Sequence, residues 1–393
     1  MVSIARKTLF HDLMPFVVAQ AGIVFSVSLV TVQIGLFFGF TRSTSTIVDH
    51  TKADIWVVSS KLQQLDLTLP IPYQRLNEAK KVAGVDRAEG FIFQSVVWQQ
   101  STQPIAPVTV IGFEPHSEFF GINPLQKGQY QDIQQPYTAF LNDSDIRFLN
   151  IDKVGDVAKV GGQQVKVVGV TSGLRSMVSD PFLFTSLENG AALVKADAQP
   201  IVKPQRNPLK LLLDTDNITA VLVRAQPGQN LAQLKERLKT ALPDTHIYTK
   251  AELSKLTQTY WLNNTGVTFI LGMGAVVAIA VGTVIVSQVL YTSVVRHLSE
   301  YATLKAMGAS KLFLYRIILE QALWMALLGY IPGIALSMVL GGWTMQTQAI
   351  QILVTPASAA SVFGLTLVMC SGSAIFAIQK VIGLDPALVF KPE

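Results

Sequence analysis

The sequence contains almost no cysteine and few histidines, which limits the chemistry it can support. Its 393 residues include one cysteine, Cys370, which lies inside a long apolar run. A single thiol excludes an intrachain disulfide framework and a cysteine-based zinc site. The histidines show no metal-binding spacing such as His-Glu-x-x-His; they are His11, His50, His116, His246 and His297. We therefore expect no metal site.

Motifs for catalysis and for nucleotide binding are also missing. No Gly-x-Ser-x-Gly elbow occurs, and no glycine-rich loop ends in Gly-Lys-Ser or Gly-Lys-Thr. The first pattern exposes the nucleophile of many hydrolases, and the second binds nucleotide phosphates. The net charge of +5 is not concentrated in a basic block interleaved with aromatic residues, which argues against nucleic acid as a partner. We expect no catalytic residue, no bound cofactor and no nucleic-acid partner.

Charge is missing from four long apolar runs, which carry no Asp, Glu, Lys or Arg at mid-depth. The runs occupy residues 16–40, 266–290, 322–343 and 357–378. Each is long enough to cross a hydrocarbon core, which takes roughly 20 helical residues. We predict an α-helical membrane domain of four transmembrane helices in a one-plus-three arrangement. Ion-coupled transporters need charged groups within their spans, so this composition disfavours that class.

Charges near the ends of these runs predict the orientation in the membrane. Positive residues collect on the cytoplasmic side; here they occur in segment 1–15 and in the loop 291–321, whereas the loop 344–356 carries no charge. We therefore predict that both termini, the second being 379–393, and the loop 291–321 are cytoplasmic. Segment 41–265 and the uncharged loop are then outside. Segment 1–15 is also predicted to form an interfacial amphipathic helix.

Segment 41–265 has the pattern of an α+β domain. Alternating or β-branched stretches predict strands, and helical spacing of apolar residues predicts helices. The predicted strands are 54–59, 91–98, 108–113, 154–160, 165–170, 218–224 and 246–249, and the predicted helices are 73–82 and 230–242. The two ends of the segment show similar strand–helix–strand units. We therefore expect one sub-domain built from both ends and a second built from the middle.

Three further stretches connect these elements. The polar, proline-rich stretch 190–217 is predicted as a long loop. Residues 41–51 are predicted to prolong the first span, and residues 252–265 are predicted as a helix that continues into the second span. Together these two helices would form a stalk between the membrane and the α+β domain.

Small residues recur at four-residue spacing in two of the apolar runs. Gly35 and Gly39 form such a pair in the first run, and Gly274, Ala278 and Gly282 share one helix face in the second. Helices in lipid associate through faces of this kind because their backbones can approach closely. The pattern leaves two alternatives open, which are packing within the chain and a seam between two copies in a homodimer.

The loop 293–320 shows the most distinctive local pattern. Its first part has helical spacing up to Leu304 and Lys305, Gly308 interrupts the pattern, and a second helical stretch begins after Ala309 and Ser310. Two short helices separated by a glycine would form a compact projection on the inner side of the membrane. The alternative is an ordinary amphipathic connector between two spans.

This loop also carries a resemblance to a known family. Arg296, Glu300, Leu304-Lys305, Gly308-Ala309-Ser310 and Glu320 resemble the signature of the FtsX-like or MacB-like permeases of ABC transporters. The one-plus-three layout with a large insert is similar to the architecture of that family, and Asp385-Pro386-Ala387 is similar to its cytoplasmic tail. The opening ARKTLFHDLMPF and the stretch ADIWVVS look most like the cyanobacterial DevC type.

The resemblance implies a mechanism and a set of partners. A homodimer of the permease would sit in the cell inner membrane, with the large domain in the periplasm. Each copy would bind a separate ATPase subunit that uses ATP and Mg²⁺. Coupling would involve Arg296, Glu300, Leu304, Lys305, Gly308, Ala309 and Ser310.

The DevC type further implies a membrane-fusion adaptor, a TolC-like outer-membrane channel and export of a lipid or glycolipid. In such a system ATP-driven closure of the dimer moves the periplasmic domain and does not open a channel through the spans. The alternatives within the family are a lipoprotein-releasing permease and a non-transporting relay that activates a cell-wall hydrolase.

Overall fold

The structure is a computed structural model that describes residues 13–100, 105–122, 124–198, 212–348 and 350–382. The chain divides into an α/β unit, Thr41–Thr265, and a helical unit formed by Met1–Phe40 with Gly266–Glu393. The predicted amphipathic helix at 1–15 falls almost entirely outside the described residues, and so does the Asp385-Pro386-Ala387 motif.

The elements are numbered along the chain. The helices are α1 (Leu13–Thr44), α2 (Thr46–His50), α3 (Gln74–Ala79), α4 (Leu187–Ala198), α5 (Leu231–Ala241), α6 (Lys250–Asn264), α7 (Gly266–Arg296), α8 (Leu298–Ala306), α9 (Lys311–Gln348) and α10 (Pro356–Ile382). The strands are β1 (Ile55–Ser59), β2 (Ile71–Pro72), β3 (Val85–Gln99), β4 (Ala106–Phe113), β5 (Leu125–Lys127), β6 (Thr138–Asn142), β7 (Val157–Val160), β8 (Gln163–Thr171), β9 (Phe182–Ser186), β10 (Asn217–Ile218), β11 (Ala220–Ala225) and β12 (Thr245–Thr249).

Four helices of the described residues are long and apolar enough to cross a membrane. The qualifying stretches are Phe16–Thr44 in α1, Gly266–Arg296 in α7, Leu312–Met345 in α9 and Pro356–Ile375 in α10. This confirms the predicted one-plus-three set of apolar helices. Helix α10 packs against both α7 and α9, and Cys370 is fully buried in their shared apolar core.

Helices α1 and α9 approach each other closely at two glycines of α9. A Cβ atom at Gly329 would lie 2.4 Å from a methyl group of Ile23, and one at Gly333 would lie 2.7 Å from a methyl group of Val27. The Ser28 hydroxyl donates a hydrogen bond to the Gly333 carbonyl at 2.9 Å. Small residues and a hydroxyl at the contact are typical of helix association in lipid.

The α/β unit contains a sheet of ten strands whose pairing separates two regions. The order is β12-β1-β11-β3-β4-β9-β6-β8-β5, and β7 pairs with both β3 and β8. The pairs β3-β4-β9-β6-β8-β7-β3 therefore form a closed ring. The strands β12-β1-β11-β3 form an open antiparallel sheet, whose βαββαβ chain order matches a ferredoxin-like unit.

These two regions correspond to the predicted sub-domains. The open sheet comes from both ends of the segment, with helices α3 and α5 packed against it, and the ring comes mainly from the middle. The long strand β3 belongs to both, because its first half pairs with β11 and its second half pairs with β4 and then β7. The two sub-domains therefore share one continuous sheet.

Strand β1 is buried on both faces. Ile55 and Val57 face a core that includes Leu76 of α3 and Leu234 of α5. The alternate residue Trp56 faces a second, aromatic core. Because neighbouring residues of a strand point to opposite faces, a continuous apolar run is what a central strand of this kind requires.

The stretch 190–217 differs from its predicted loop. Helix α4 extends through Ala198, and residues 199–211 lie outside the described residues. Leu193 of α4 is fully buried. Gly190 lets the helix approach β4, since a Cβ there would lie 3.2 Å from the Cα of Gly112. The prolines that favoured a loop all follow the helix.

The prediction of a continuous helix from residue 252 into the second span is wrong, because the helix is interrupted at Thr265. Helix α6 ends at Asn264, and Thr265 is extended, with φ −122° and ψ 144°. The other predicted stalk helix is interrupted at Ser45, between α1 and α2. Within the α/β unit α2 packs on α6, and the Gln258 side chain donates a hydrogen bond to the Ser45 hydroxyl at 2.8 Å.

Candidate functional site

Residues 291–321 comprise the end of α7, all of α8 and the start of α9, and they contain all seven predicted coupling residues. We call them the coupling segment. Helix α7 ends at Arg296, α8 follows after His297, and α9 begins at Lys311. The segment therefore forms the predicted helix, glycine break and second helix. Helix α8 contacts both α7 and α10.

A Schellman turn ends α8 at Gly308. The Gly308 amide donates to the Lys305 carbonyl at 3.1 Å, and the Ala309 amide donates to the Leu304 carbonyl at 3.0 Å. Gly308 has φ +90°, a conformation that glycine adopts without a steric penalty. Four of the predicted coupling residues form this turn: Leu304, Lys305, Gly308 and Ala309. A fifth, Ser310, directly precedes α9.

Ser310 caps the N-terminus of α9. Its hydroxyl accepts a hydrogen bond from the Phe313 amide at 3.2 Å. A serine in this position satisfies one of the unpaired amides that every helix start exposes. The turn between α8 and α9 is therefore hydrogen-bonded on both sides, which restricts the angle between the two helices.

Tyr301 anchors α8 to the start of the third span. The side chain is 3% exposed, and its hydroxyl donates to Oε1 of Gln321 at 3.0 Å. Burial, together with the nearby Glu300 charge, raises the pKa of Tyr301 to about 12. The phenol stays protonated, so it remains a hydrogen-bond donor at any physiological pH.

The opposite side of α8 is accessible. Arg296, Glu300, Gly308 and Ser310 are exposed, and Leu304, Lys305 and Ala309 are half-buried. Glu300 lies 3.1 Å from Nδ1 of His297, and its side chain is 60% exposed. Met307 adds a large apolar side chain that is 71% exposed. This surface therefore carries positive and negative side chains together with one exposed apolar side chain, that of Met307.

Sequence reasoning missed three residues of this site: Tyr301, Met307 and Gln321. The helical spacing of Tyr301 with Leu304 and Lys305 was a signal for its burial. Gln321 stands at the edge of an apolar run, where a buried polar group needs a partner. Nothing in the sequence pairs these two residues, which are 20 positions apart.

The small-residue faces pack within the chain. A Cβ at Gly274 would lie 3.0 Å from the Gln33 side chain, and one at Gly282 would lie 2.7 Å from Met369. Ala278, between them, is 2% exposed. In α1, Gly39 makes room for the backbone of Gln351.

Gly35 belongs to the same contact in α1. Its carbonyl accepts a hydrogen bond from the Leu353 amide at 3.0 Å. These five positions therefore serve helix and loop packing inside one copy. Within the described residues, no group of three or more His, Cys, Asp or Glu side chains could hold a metal ion.

Two family models match consecutive parts of the chain. One is described as the MacB-like periplasmic core domain and matches residues 16–241. The other is described as the FtsX-like permease C-terminal and matches residues 272–386, which include the whole coupling segment. The first alone covers more than half of the chain. The protein therefore belongs to the MacB-like and FtsX-like family of ABC transporter permeases.

Two relatives carry the same general name. An uncharacterized ABC transporter permease of Mycobacterium tuberculosis strain H37Rv is 24% identical over 382 residues, covering 95% of this chain and 94% of that protein. An uncharacterized ABC transporter permease of Methanocaldococcus jannaschii is 23% identical over 194 residues, covering 48% of this chain and 43% of that protein.

Two solved structures are similar to part of the chain. The extracellular domain of the transporter YknZ from Gram-positive bacteria is 11% identical, covers 50% of this chain and 98% of that chain, and gives a TM-score of 0.34. The periplasmic region of MacB from Actinobacillus actinomycetemcomitans is 15% identical, covers 55% and 94%, and also gives 0.34.

Family membership and the apolar helices define the class of protein. It is a membrane protein with a MacB-like extracytoplasmic domain, and membership of the ABC permeases implies an ATPase partner. The narrower DevC-type assignment stays a prediction.

Proposed function

We propose that this chain is the permease subunit of an ABC exporter and that its coupling segment binds a separate ATPase subunit. Both termini and the coupling segment are cytoplasmic in this proposal, the membrane is the cell inner membrane, and the α/β unit is periplasmic. The ATPase uses ATP and Mg²⁺, and this chain binds neither. Two copies of the permease work together with two copies of the ATPase.

The observation that carries the proposal is the way α8 is fixed to α9. The Schellman turn at Gly308 and the cap at Ser310 set the angle between the helices. The hydrogen bond from Tyr301 to Gln321 adds a second, buried attachment. A displacement of α8 by a moving ATPase would therefore shift the start of the third span with it.

The proposal extends to the transport process through the resemblance to the DevC type. ATP-driven closure of the dimer moves the periplasmic domain, and the cargo is a lipid or glycolipid that leaves through a membrane-fusion adaptor and a TolC-like outer-membrane channel. The lack of charged residues at mid-depth in the four apolar runs supports a mechanical role for the spans.

Because the small-residue faces are occupied within one copy, the homodimer must use other surfaces. Helix α7 offers one, since Phe269, Met273, Val276 and Val284 are exposed along it. These apolar side chains face lipid or a second copy, and both environments suit them.

The test is charge reversal on the exposed face of α8. Glu300→Lys is expected to reduce co-purification of the ATPase with the full-length chain by about tenfold, which corresponds to about 1.4 kcal/mol of binding free energy, because the substitution brings like charges together at the proposed interface. Met307→Asp is expected to act in the same direction through a buried, unpaired charge. The measurement is the ratio of ATPase to permease after affinity purification from membranes.

Glu236→Lys is the matched control, since Glu236 is an exposed glutamate on α5 of the α/β unit. It makes the same charge change at a site with no proposed contact and should leave the ratio unchanged. If Glu300→Lys preserves both the ratio and export, the coupling role of this face is refuted.

A further inference from the structure

A groove runs along the first turns of α9, in the second half of the coupling segment. Its volume is about 850 Å³, and its second wall is formed by Ser371, Ala374 and Ile375 of α10. Apolar side chains dominate the lining, with Leu312 80% exposed and Ile375 52% exposed. All of these residues belong to the helical unit.

The two walls are regular helix faces. On α9 the lining residues Leu312, Tyr315, Arg316 and Leu319 recur at intervals of three and four, which places them on one side. The other side of the same turns, including Ile318 at 1% exposure, is buried in the core. Helix α9 thus has two apolar faces at its start, and the described residues cover only one of them.

The groove lies where the apolar spans end. The apolar stretch of α9 begins at Leu312, directly after Lys311, and the apolar run of α10 ends at Ile378, two residues before Lys380. Leu312 to Leu319 covers about 11 Å of helix at ~1.5 Å per residue, which extends from the boundary into the hydrocarbon. In the proposed orientation this boundary belongs to the cytoplasmic leaflet, which carries anionic lipids.

One positively charged side chain, that of Arg316, lines this apolar groove. Arg316 is exposed, and among the described residues it forms no ion pair, including none with Glu320 one turn further along. No lining residue is acidic. A guanidinium group binds phosphate oxygens through paired N–H donors. The groove therefore offers an apolar surface for a lipid acyl chain and, at Arg316, a cation for an anionic headgroup.

We propose that this groove binds one anionic phospholipid of the cytoplasmic leaflet per chain. One acyl chain lies between α9 and α10, and the phosphate pairs with Arg316. The groove shares Ser310 with the proposed ATPase contact, whereas Glu300 and Met307 of α8 do not line it.

The test is native mass spectrometry of the full-length chain with added phosphatidylglycerol or phosphatidylcholine. The wild type is expected to retain one phosphatidylglycerol per chain in preference to phosphatidylcholine. Arg316→Gln should weaken phosphatidylglycerol binding about fivefold, since one basic side chain near a lipid surface contributes on that scale. It should weaken phosphatidylcholine binding less, because the choline cation offsets the charge of the phosphate. Arg316→Lys should keep most of the preference.

Two further variants make the outcome decisive. Arg42→Gln removes an equal charge from an exposed position at the C-terminal end of α1 and should leave the binding of both lipids unchanged. Ser371→Phe fills the groove and should reduce binding of both lipids. The proposal is overturned if Arg316→Gln binds phosphatidylglycerol like the wild type, or if Arg42→Gln loses as much.

The remaining alternative occupant is the chain's own tail. Truncation after Ile382 that strongly raised phosphatidylglycerol binding would show that residues 383–393 compete for the groove in the full-length chain, and this too would overturn the proposal. An unchanged binding constant in the truncated chain would support it.

Discussion

At the scale of single residues, the charges around Glu89 organise one corner of the α/β unit. This carboxylate is 1% exposed. It accepts a hydrogen bond from Nε of Arg87 at 2.6 Å and others from the Ser117 hydroxyl and the Glu118 amide. The contacts hold the chain just before Phe119 and Phe120, which lie in the aromatic core.

Glu114 is the unfavourable member of this corner. Burial, and then the charge of Glu89, raise the pKa of Glu114 above its ordinary value of 4.5. An acid whose folded-state pKa is raised stabilises the fold while it is protonated, and that contribution is lost as pH rises from the ordinary value through the raised one. At neutral pH the Glu114 carboxylate therefore destabilises the α/β unit.

We predict that Glu114→Gln stabilises the protein at pH 7.5 and not at pH 4. Glutamine keeps a carbonyl oxygen in place of the carboxylate and removes the repulsion with Glu89. The expected gain at pH 7.5 is roughly 2 °C in the midpoint of thermal unfolding, measured on the full-length chain in detergent by near-UV circular dichroism. Glu236→Gln, on an exposed face of α5, is the control, and an equal gain at both pH values would contradict the assignment to Glu114.

At the scale of elements, the sequence pattern predicted what depends on local spacing. The hairpin of β7 and β8 was predicted from Gly161-Gly162, and both glycines have positive φ, +53° and +84°, as tight hairpin turns require. The helix break at Gly308 was likewise predicted from a glycine, and Gly308 also has a positive φ, +90°. Helix α4 was missed because the prolines after it dominated the composition of its stretch.

Contacts distant in sequence were beyond such reasoning. The closure of the ring by β7 depends on its pairing with β3, some sixty residues earlier in the chain, at Trp98↔Val160. The buried pair of Tyr301 and Gln321 likewise needs the fold to bring two helices together. The coupling role of the seven residues stays a prediction from their motif, whereas the contacts that anchor them, such as Tyr301 to Gln321, become visible only in the structure.

We predict that Gly308→Ala weakens the turn between α8 and α9. Apart from Gly308 and its two chain neighbours, no atom of the described residues lies within 4 Å of a Cβ at this position, so the cost comes from the positive φ and is about 1 kcal/mol. Hydrogen exchange of the Gly308 and Ala309 region should become roughly fivefold faster, as measured by mass spectrometry, with a parallel loss of transport-coupled ATP hydrolysis.

Gly342→Ala is the matched control for that substitution. Gly342 also has open space around a Cβ, but it lies inside α9 and has no positive φ. Alanine should be tolerated there or should stabilise the helix slightly. Equal effects of the two substitutions would show that the turn has no special role.

At the scale of the whole molecule, the order of spans decides on which side each part lies. The α/β unit is inserted between the first two apolar helices, so its start and its end are on the same side of the membrane. The coupling segment follows one span later, in the connection from α7 to α9. Because one candidate span separates them, we predict that these two parts face opposite sides of the membrane.

Cysteine labelling tests both the sidedness and the orientation, and the natural cysteine simplifies it. Cys370 is fully buried and can be replaced by serine to give a cysteine-free background. A cysteine at Lys239, exposed on α5, should react with a membrane-impermeant maleimide in intact spheroplasts. A cysteine at Ser299, exposed on α8, should react only after the inner membrane is opened. The reverse pattern would refute the orientation, and simultaneous labelling of both sites in intact spheroplasts would refute the span assignment of α7.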